Sequence, residues 1–184
     1  MNFKFLFILG LGAILLAGCS ADVEDEMLGK PSSTETGADK MSSKVVERPF
    51  KSKADGNWFL VPSIDCEGLL PYSIEGTGNA THLGRFDIEG TLCAFPPEGL
   101  YFLTVKFIAA NGDELIWESV EPFIDQNGQY TGGIFECKGG TGRFEMAEGT
   151  ITVNEVLETT SVDPATGIPL SGTFTNAVTG TLSY

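Results

Sequence analysis

The chain has 184 residues, of which 25 are acidic and 11 are basic, and its formal net charge at pH 7 is −14. A surface of that sign repels phosphate backbones, so we expect no nucleic-acid partner. It also repels anionic lipid head groups, so electrostatic attraction is not expected to hold the protein on a membrane.

The N-terminal segment has one lysine, Lys4, followed by an apolar run over residues 5–16. This run is shorter than the ~20 residues of a membrane-spanning helix, and the pattern is typical of a secretory signal. A Leu-Ala-Gly tripeptide then precedes Cys19, and this arrangement resembles the lipobox of bacterial lipoproteins. The resemblance implies that residues 1–18 are removed as a signal peptide and that Cys19 is acylated.

Acyl chains on Cys19 would hold the protein on a membrane without a transmembrane helix, since two or more chains anchor stably. Ser20 and Ala21 follow the cysteine, and by the same resemblance the absence of an aspartate there favours the outer membrane. The acidic residues within 22–26 look like a surface-export tag. We therefore expect a lipid-anchored protein of the bacterial outer membrane, facing the periplasm or the cell surface.

Residues 20–46 contain small and charged residues and no aromatic residue. This composition does not bury enough apolar surface to offset the entropy of ordering, so a disordered acidic tether is predicted over 19–46. Both tryptophans and all four tyrosines lie beyond it. Residues 47–184 are predicted to form one domain.

Alternation of apolar and polar residues dominates this domain, and helix signals are nearly absent. Phe86 and Ile88 alternate with Asp87 and Glu89, for example, which predicts a strand with one apolar face. Asn-Gly at 111–112 and the segment 125–128 predict tight hairpin turns, the first of type I′ with positive φ at both residues. The predicted strands are 47–55, 69–78, 82–94, 100–110, 113–121, 129–138, 147–158 and 171–184. Eight such strands form either a closed antiparallel barrel or a sandwich.

Two motifs favour the barrel. Residues 139–144, Gly-Gly-Thr-Gly-Arg-Phe, together with Ala-Glu-Gly at 147–149, resemble a signature of the dirigent and allene oxide cyclase-like barrels. The segment 76–86 is similar to a stretch in secreted bacterial members of that group, and 49–51 and 180–184 resemble its typical ends. The resemblance implies an all-β, calycin-like fold with an eight-stranded antiparallel barrel.

The residues of these motifs are expected to be structural. Gly139, Gly140 and Gly142 allow a sharp turn between strands, and Phe144 is expected to pack back and close one end of the barrel. Thr81 and His82 are expected to form hydrogen bonds that fix the turn between the second and third strands. Catalysis by His82 as a lone acid or base is the alternative.

No catalytic constellation is apparent. His82 is the only histidine, so zinc sites with two or three histidines are excluded, and we expect no metal and no cofactor. The pairs Asp87 with Glu89 and Glu114 with Glu118 fall on the face opposite the apolar one, where solvent is expected. The reactions of the dirigent and cyclase enzymes do not transfer, because their active-site residues do not map onto this chain.

Three functions are compatible with this picture. The first is a non-enzymatic binding or structural barrel that holds a small hydrophobic ligand. The second is a cofactor-free isomerase or cyclase, which a cavity with a buried carboxylate or His82 inside would favour. The third is a module that docks envelope proteins, either through its acidic outer surface or through Trp58, Phe59 and Leu60, and an exposed apolar patch around Trp58 would favour it.

Three cysteines remain once Cys19 is acylated, so at most one intrachain disulfide forms in an oxidising compartment. A hairpin centred on Asn79 and Ala80 places Cys66 opposite Cys93, which makes this pair the first expectation. A bridge between Cys93 and Cys137 is the second, and no bridge is the third. Cys137 lies two residues after Phe135 on the same strand, so its side chain is expected on the apolar inner face.

The lipid anchor can be tested by mass. The native protein should lack residues 1–18 and carry added acyl groups, because processing precedes Cys19. Cys19→Ala should leave the protein soluble or unprocessed. Complete partition of that variant into membranes would show that something else holds the protein there.

Overall fold

A computed structural model describes residues 46–62, 64–95 and 100–184. Within these ranges, eight antiparallel strands form a closed barrel, in which each strand pairs with its chain neighbours and the last pairs with the first. This architecture confirms the fold class predicted from the sequence. The strands are β1 (Arg48–Leu60), β2 (Leu70–Ala80), β3 (Gly84–Phe95), β4 (Leu100–Ala109), β5 (Glu114–Ile124), β6 (Tyr130–Gly140), β7 (Glu148–Val162) and β8 (Pro169–Ser183).

The only helical element in the described ranges is a 3-10 turn over Gly142–Phe144. None of the helices described is long and apolar enough to cross a membrane. The expected signal peptide, Cys19 and nearly all of the expected tether lie outside the described residues.

Side-chain alternation places the apolar face of every strand inside the barrel. On β3, Phe86 and Ile88 are buried, whereas Asp87 and Glu89 are exposed, as the sequence predicted. Each fully buried large apolar side chain contributes ~1.5–3 kcal/mol to folding. The largest side chains buried in this way are Trp117, Phe50, Phe86, Phe144, Leu115, Ile151, Leu182 and Val178.

The up-and-down order of the strands assigns the connections to two ends of the barrel. The connections after β1, β5 and β7 lie at one end, which we call the open end. The connections after β2, β4 and β6 lie at the other, which we call the closed end. The first residue of β1 and the last residue of β8 are also at the closed end.

The β4–β5 turn differs from the predicted type I′ turn. Only Gly112 has a positive φ, of 85°, and Asn111 does not. The N–H of Gly112 donates to the carbonyl of Ala109, and the N–H of Ala109 donates to Asp113, so the loop has three residues and ends in a left-handed glycine. The β5–β6 turn repeats this arrangement, with Gly128 at φ 79°.

A disulfide joins Cys66 to Cys93, with 5.5 Å between the Cα atoms. The register that led to this pair was wrong, however. Ala80 pairs with Gly84, so the β2–β3 hairpin turns about His82, whose φ of 72° allows the tight reversal. Cys93 therefore faces Pro71 across the ladder, and Cys66 lies before β2, in the connection at the open end.

We expect this disulfide to stabilise the barrel by about 3 kcal/mol, because it closes a loop of 27 residues in the unfolded chain. A Cys66→Ala, Cys93→Ala double variant should lose that amount in urea denaturation. Reduction should destabilise the wild type similarly and leave the double variant unchanged. If thiol titration of the unfolded, unreduced protein shows both cysteines free, the bridge does not form.

Candidate functional site

The glycine motif closes one end of the barrel, as expected from the sequence. Gly139 and Gly142 have φ values of 83° and 57°, and a Cβ at Gly140 would collide with the carbonyl oxygen of Glu114. The turn directs Phe144 into the closed end, where the ring is fully buried. The Phe144 ring lies 5.1 Å from the ring of Tyr184. These contacts give the motif a packing role.

Thr81 and His82 join the β2–β3 turn to β1 at the same end. The backbone N–H of Lys51 donates to Oγ1 of Thr81 over 2.9 Å. Nε2 of His82 donates to the carbonyl of Pro49 over 3.0 Å. His82 is therefore engaged in the closure of the barrel and lies far from its hollow interior.

A cavity of about 450 Å³ lies at the open end. Its wall contains apolar and aromatic side chains from the inner faces of β1, β2, β3, β4, β6, β7 and β8, together with residues of the β5–β6 turn. The lining residues that matter below are Trp58, Tyr72, Leu92, Leu103, Tyr130, Glu155, Leu157 and Phe174. The interior is therefore filled at the closed end and hollow at the open end.

Trp58 does not form the exposed apolar patch that would have favoured the docking module. Only 8% of its surface is exposed, because β1 directs it inward, and its neighbours Phe59 and Leu60 are half-buried. A Cβ at Gly172 would collide with the indole ring, so this glycine makes room for Trp58 against β8.

Two aromatic side chains of the wall have their polar atoms bound to backbone carbonyls. Nε1 of Trp58 donates to Thr173 over 3.2 Å, and the hydroxyl of Tyr72 donates to Pro169 over 3.1 Å. Their rings meet edge to face, with 5.5 Å between centroids. What they offer to the cavity is chiefly aromatic ring surface.

Glu155 is the one acidic side chain on the cavity wall as described. It follows Ile151 and Val153 on the inward parity of β7, and burial raises its pKa from 4.5 to about 7. Asn176, its direct partner on β8, lowers the pKa by a hydrogen bond, which offsets only part of the effect. The side chain is partly accessible, but the barrel encloses it, so the accessible part faces the cavity.

Tyr130 is a second polar group in the wall. It is 4% exposed, and burial together with the charge of Glu155 raises the pKa of its hydroxyl. The phenol therefore stays protonated at neutral pH. Glu155 and Tyr130 give the cavity a carboxyl group that changes its charge near pH 7 and a hydroxyl that does not.

A small inner pocket of about 30 Å³ continues below Glu155. Its lining includes Trp117 and Asn176, and the indole N–H of the former and the amide oxygen of the latter are buried without a protein hydrogen-bond partner. The space is large enough for one water molecule, which can accept from an indole and donate to an amide. Glu155 borders both the cavity and this inner pocket.

A larger hollow of about 670 Å³ on the outer face of β2–β5 is a weaker candidate. Asp87 and Glu89, two of its three acidic residues, are exposed, as the sequence predicted. Of the second predicted pair, Glu118 is exposed, and Glu114 forms a surface ion pair of 3.3 Å with Lys106, which contributes little. In the described ranges, no group of three His, Cys, Asp or Glu side chains could hold a metal ion.

Cys137, the one cysteine in the described ranges without a disulfide, is half-buried near the closed end. Its thiol lies 3.3 Å from the carbonyl oxygen of Ala147, and burial raises its pKa. A thiol with a raised pKa is a poor nucleophile, so Cys137 acts as a small core residue.

Burial of Glu155 should make the stability of the barrel depend on pH. The folded state holds the proton up to about pH 7 and the unfolded state releases it near 4.5, so stability should fall as pH rises between these values. We expect a loss on the order of 2 kcal/mol from pH 5 to pH 8. Glu155→Gln should remove this part of the pH dependence of the free energy of unfolding, which is measured by urea denaturation at each pH.

Glu158→Gln is the matched control, because Glu158 is exposed on the same strand. It should retain the wild-type pH slope. Parallel stability profiles for wild type and Glu155→Gln would show that Glu155 is not buried in the folded protein.

Comparison with known proteins shows a likeness of the fold to solved structures. Among solved structures, the chain is similar to a pterocarpan synthase dirigent protein, with a TM-score of 0.49 and 12% sequence identity over 75% of this chain and 86% of that one. No protein-family model and no curated protein sequence matches the chain.

Proposed function

We propose that this chain is a lipid-anchored protein of the bacterial outer membrane whose barrel binds a small, largely apolar molecule at the open end. The observation that carries the binding function is the cavity of about 450 Å³, which lies within the range of small-molecule sites. Apolar walls with a few convergent polar groups, here Glu155 and Tyr130, are typical of such sites.

The membrane anchor in this proposal rests on the resemblance of the segment before Cys19 to a lipobox. The barrel itself presents mostly polar and charged residues outward, as on β3, where Arg85, Asp87 and Glu89 are exposed. A domain with such an outer face is suited to water, so acyl chains are the means by which we expect it to be held at a membrane.

Binding can be tested with N-phenyl-1-naphthylamine, a neutral apolar dye whose fluorescence rises in apolar surroundings. The dye should bind the wild-type barrel saturably. Leu157→Trp should weaken binding by about tenfold or more, because the larger side chain enters the cavity from a half-buried position on its wall.

Thr175→Trp provides the control. Thr175 is exposed on β8 next to Phe174, so the same large side chain is added to the outside of the same wall. Its dye affinity should match the wild type. Equal affinity in wild type and Leu157→Trp would place the dye elsewhere and remove the support for this cavity.

A cofactor-free isomerase or cyclase is the second candidate, and Glu155 is the observation that favours it. A carboxyl group with a pKa of about 7 in an enclosed cavity can donate or accept a proton at neutral pH. Under this hypothesis, Glu155→Gln retains dye binding but loses the conversion of compounds that compete with the dye, followed by mass spectrometry. Conversion that survives in Glu155→Gln would exclude this residue as the acid or base.

A further inference from the structure

The carboxyl group and the aromatic walls of the cavity together indicate a narrower class of ligand than small apolar molecules in general. We infer that the ligand is an organic cation, a quaternary or protonated amine with an apolar body, whose positive group lies against Glu155. This inference rests on the proposed ligand-binding function, and it adds the chemical class of the ligand.

The first argument is charge balance. No lysine, arginine or histidine appears among the described residues that line either the cavity or the inner pocket, and Glu155 is the only acidic one. An enclosed carboxylate without a cationic partner is unfavourable, and Asn176 offers only an amide hydrogen bond. A cationic group on the ligand supplies the missing opposite charge.

The second argument is the aromatic wall. Trp58, Tyr72 and Phe174 line the same cavity as Glu155. The indole N–H of Trp58 and the hydroxyl of Tyr72 are bound to backbone carbonyls, so the two side chains present ring surface rather than hydrogen-bonding groups. Ring faces attract cations, and aromatic cages recognise quaternary ammonium groups.

The third argument is the field of the whole protein. A formal net charge of −14 attracts cations and repels anions at long range. An anionic amphiphile such as a fatty acid would meet this field and then the Glu155 carboxylate, with no basic residue on the described wall to receive its head group. The cavity therefore discriminates by charge as well as by polarity.

The test compares three probes with the same ten-carbon chain, each below its micelle concentration. Decyltrimethylammonium, decyl glucoside and decyl sulfate compete with bound N-phenyl-1-naphthylamine at pH 8 in 0.15 M salt. The cation should displace the dye at about tenfold lower concentration than the neutral glucoside, and the sulfate should be weakest. Glu155→Gln should abolish the preference for the cation.

Glu158→Gln removes the same formal charge from the outer face of β7 and should retain the preference. An equal loss in both variants would assign the effect to net charge and overturn the inference. Equal potency of cation and glucoside on wild type, with the dye bound, would overturn the inference and leave the proposed function intact. Failure of the dye to bind would remove both.

A measurement on wild type makes the result independent of the folding of any variant. At pH 5 the carboxyl of Glu155 is protonated, because its pKa is about 7, and the preference for the cation should shrink. The other titratable groups on the described cavity wall are the phenols Tyr72 and Tyr130, and burial raises the pKa of the Tyr130 hydroxyl. An unchanged preference at pH 5 would contradict the role of Glu155.

Discussion

The pairing of β1 with β8 is the constraint on which the rest of this structure depends. Twelve registered residue pairs, from Arg48 with Leu182 to Phe59 with Ser171, join the two ends of the sheet. Closure leaves no unpaired edge strand, and it forces one face of each strand into a shared interior. The size and polarity of the inward side chains then decide whether that interior is a packed core or a hollow that can bind a ligand.

Here the interior is a packed core towards one end of the barrel and a cavity towards the other. At the closed end, Phe50, Phe144 and Leu182 are fully buried and leave no room for a ligand. Towards the open end, the inward side chains leave a cavity, and one of them is Glu155. A buried carboxyl group lowers stability when it ionises, so its position on an otherwise apolar face is better explained by binding than by packing.

The sequence predicted the features that local patterns determine. Alternation with a period of two identified eight strands, and the 3-10 turn after Gly140 ends in Phe144 at the closed end as expected. The register between paired strands was harder to predict. The centre of the β2–β3 hairpin was placed between Asn79 and Ala80 instead of at His82, because the reversal depends on the positive φ of His82, a conformation that the residue type alone does not reveal.

The candidate site was the least predictable part, for a different physical reason. A cavity depends on the summed volumes of side chains from several strands, which no single segment contains. The inward position of Glu155 could nevertheless have been predicted, because Glu155 is the next alternate residue after Ile151 and Val153, whose side chains point into the barrel from β7. Trp58 could not be placed in the same way, because nothing local within Trp-Phe-Leu at 58–60 shows which residue faces inward, and an exposed patch there was left open as one alternative.

The direction in which β1 runs has a consequence for how ligands arrive. Its first residue, Arg48, is at the closed end, and its 13 residues at ~3.3 Å each, tilted as in other barrels, separate that point from the open end by about 30 Å. The described chain thus enters the barrel at the end remote from the mouth. A ligand that enters through the mouth passes the connections after β1, β5 and β7, and not the strand ends at Arg48 and Ser183.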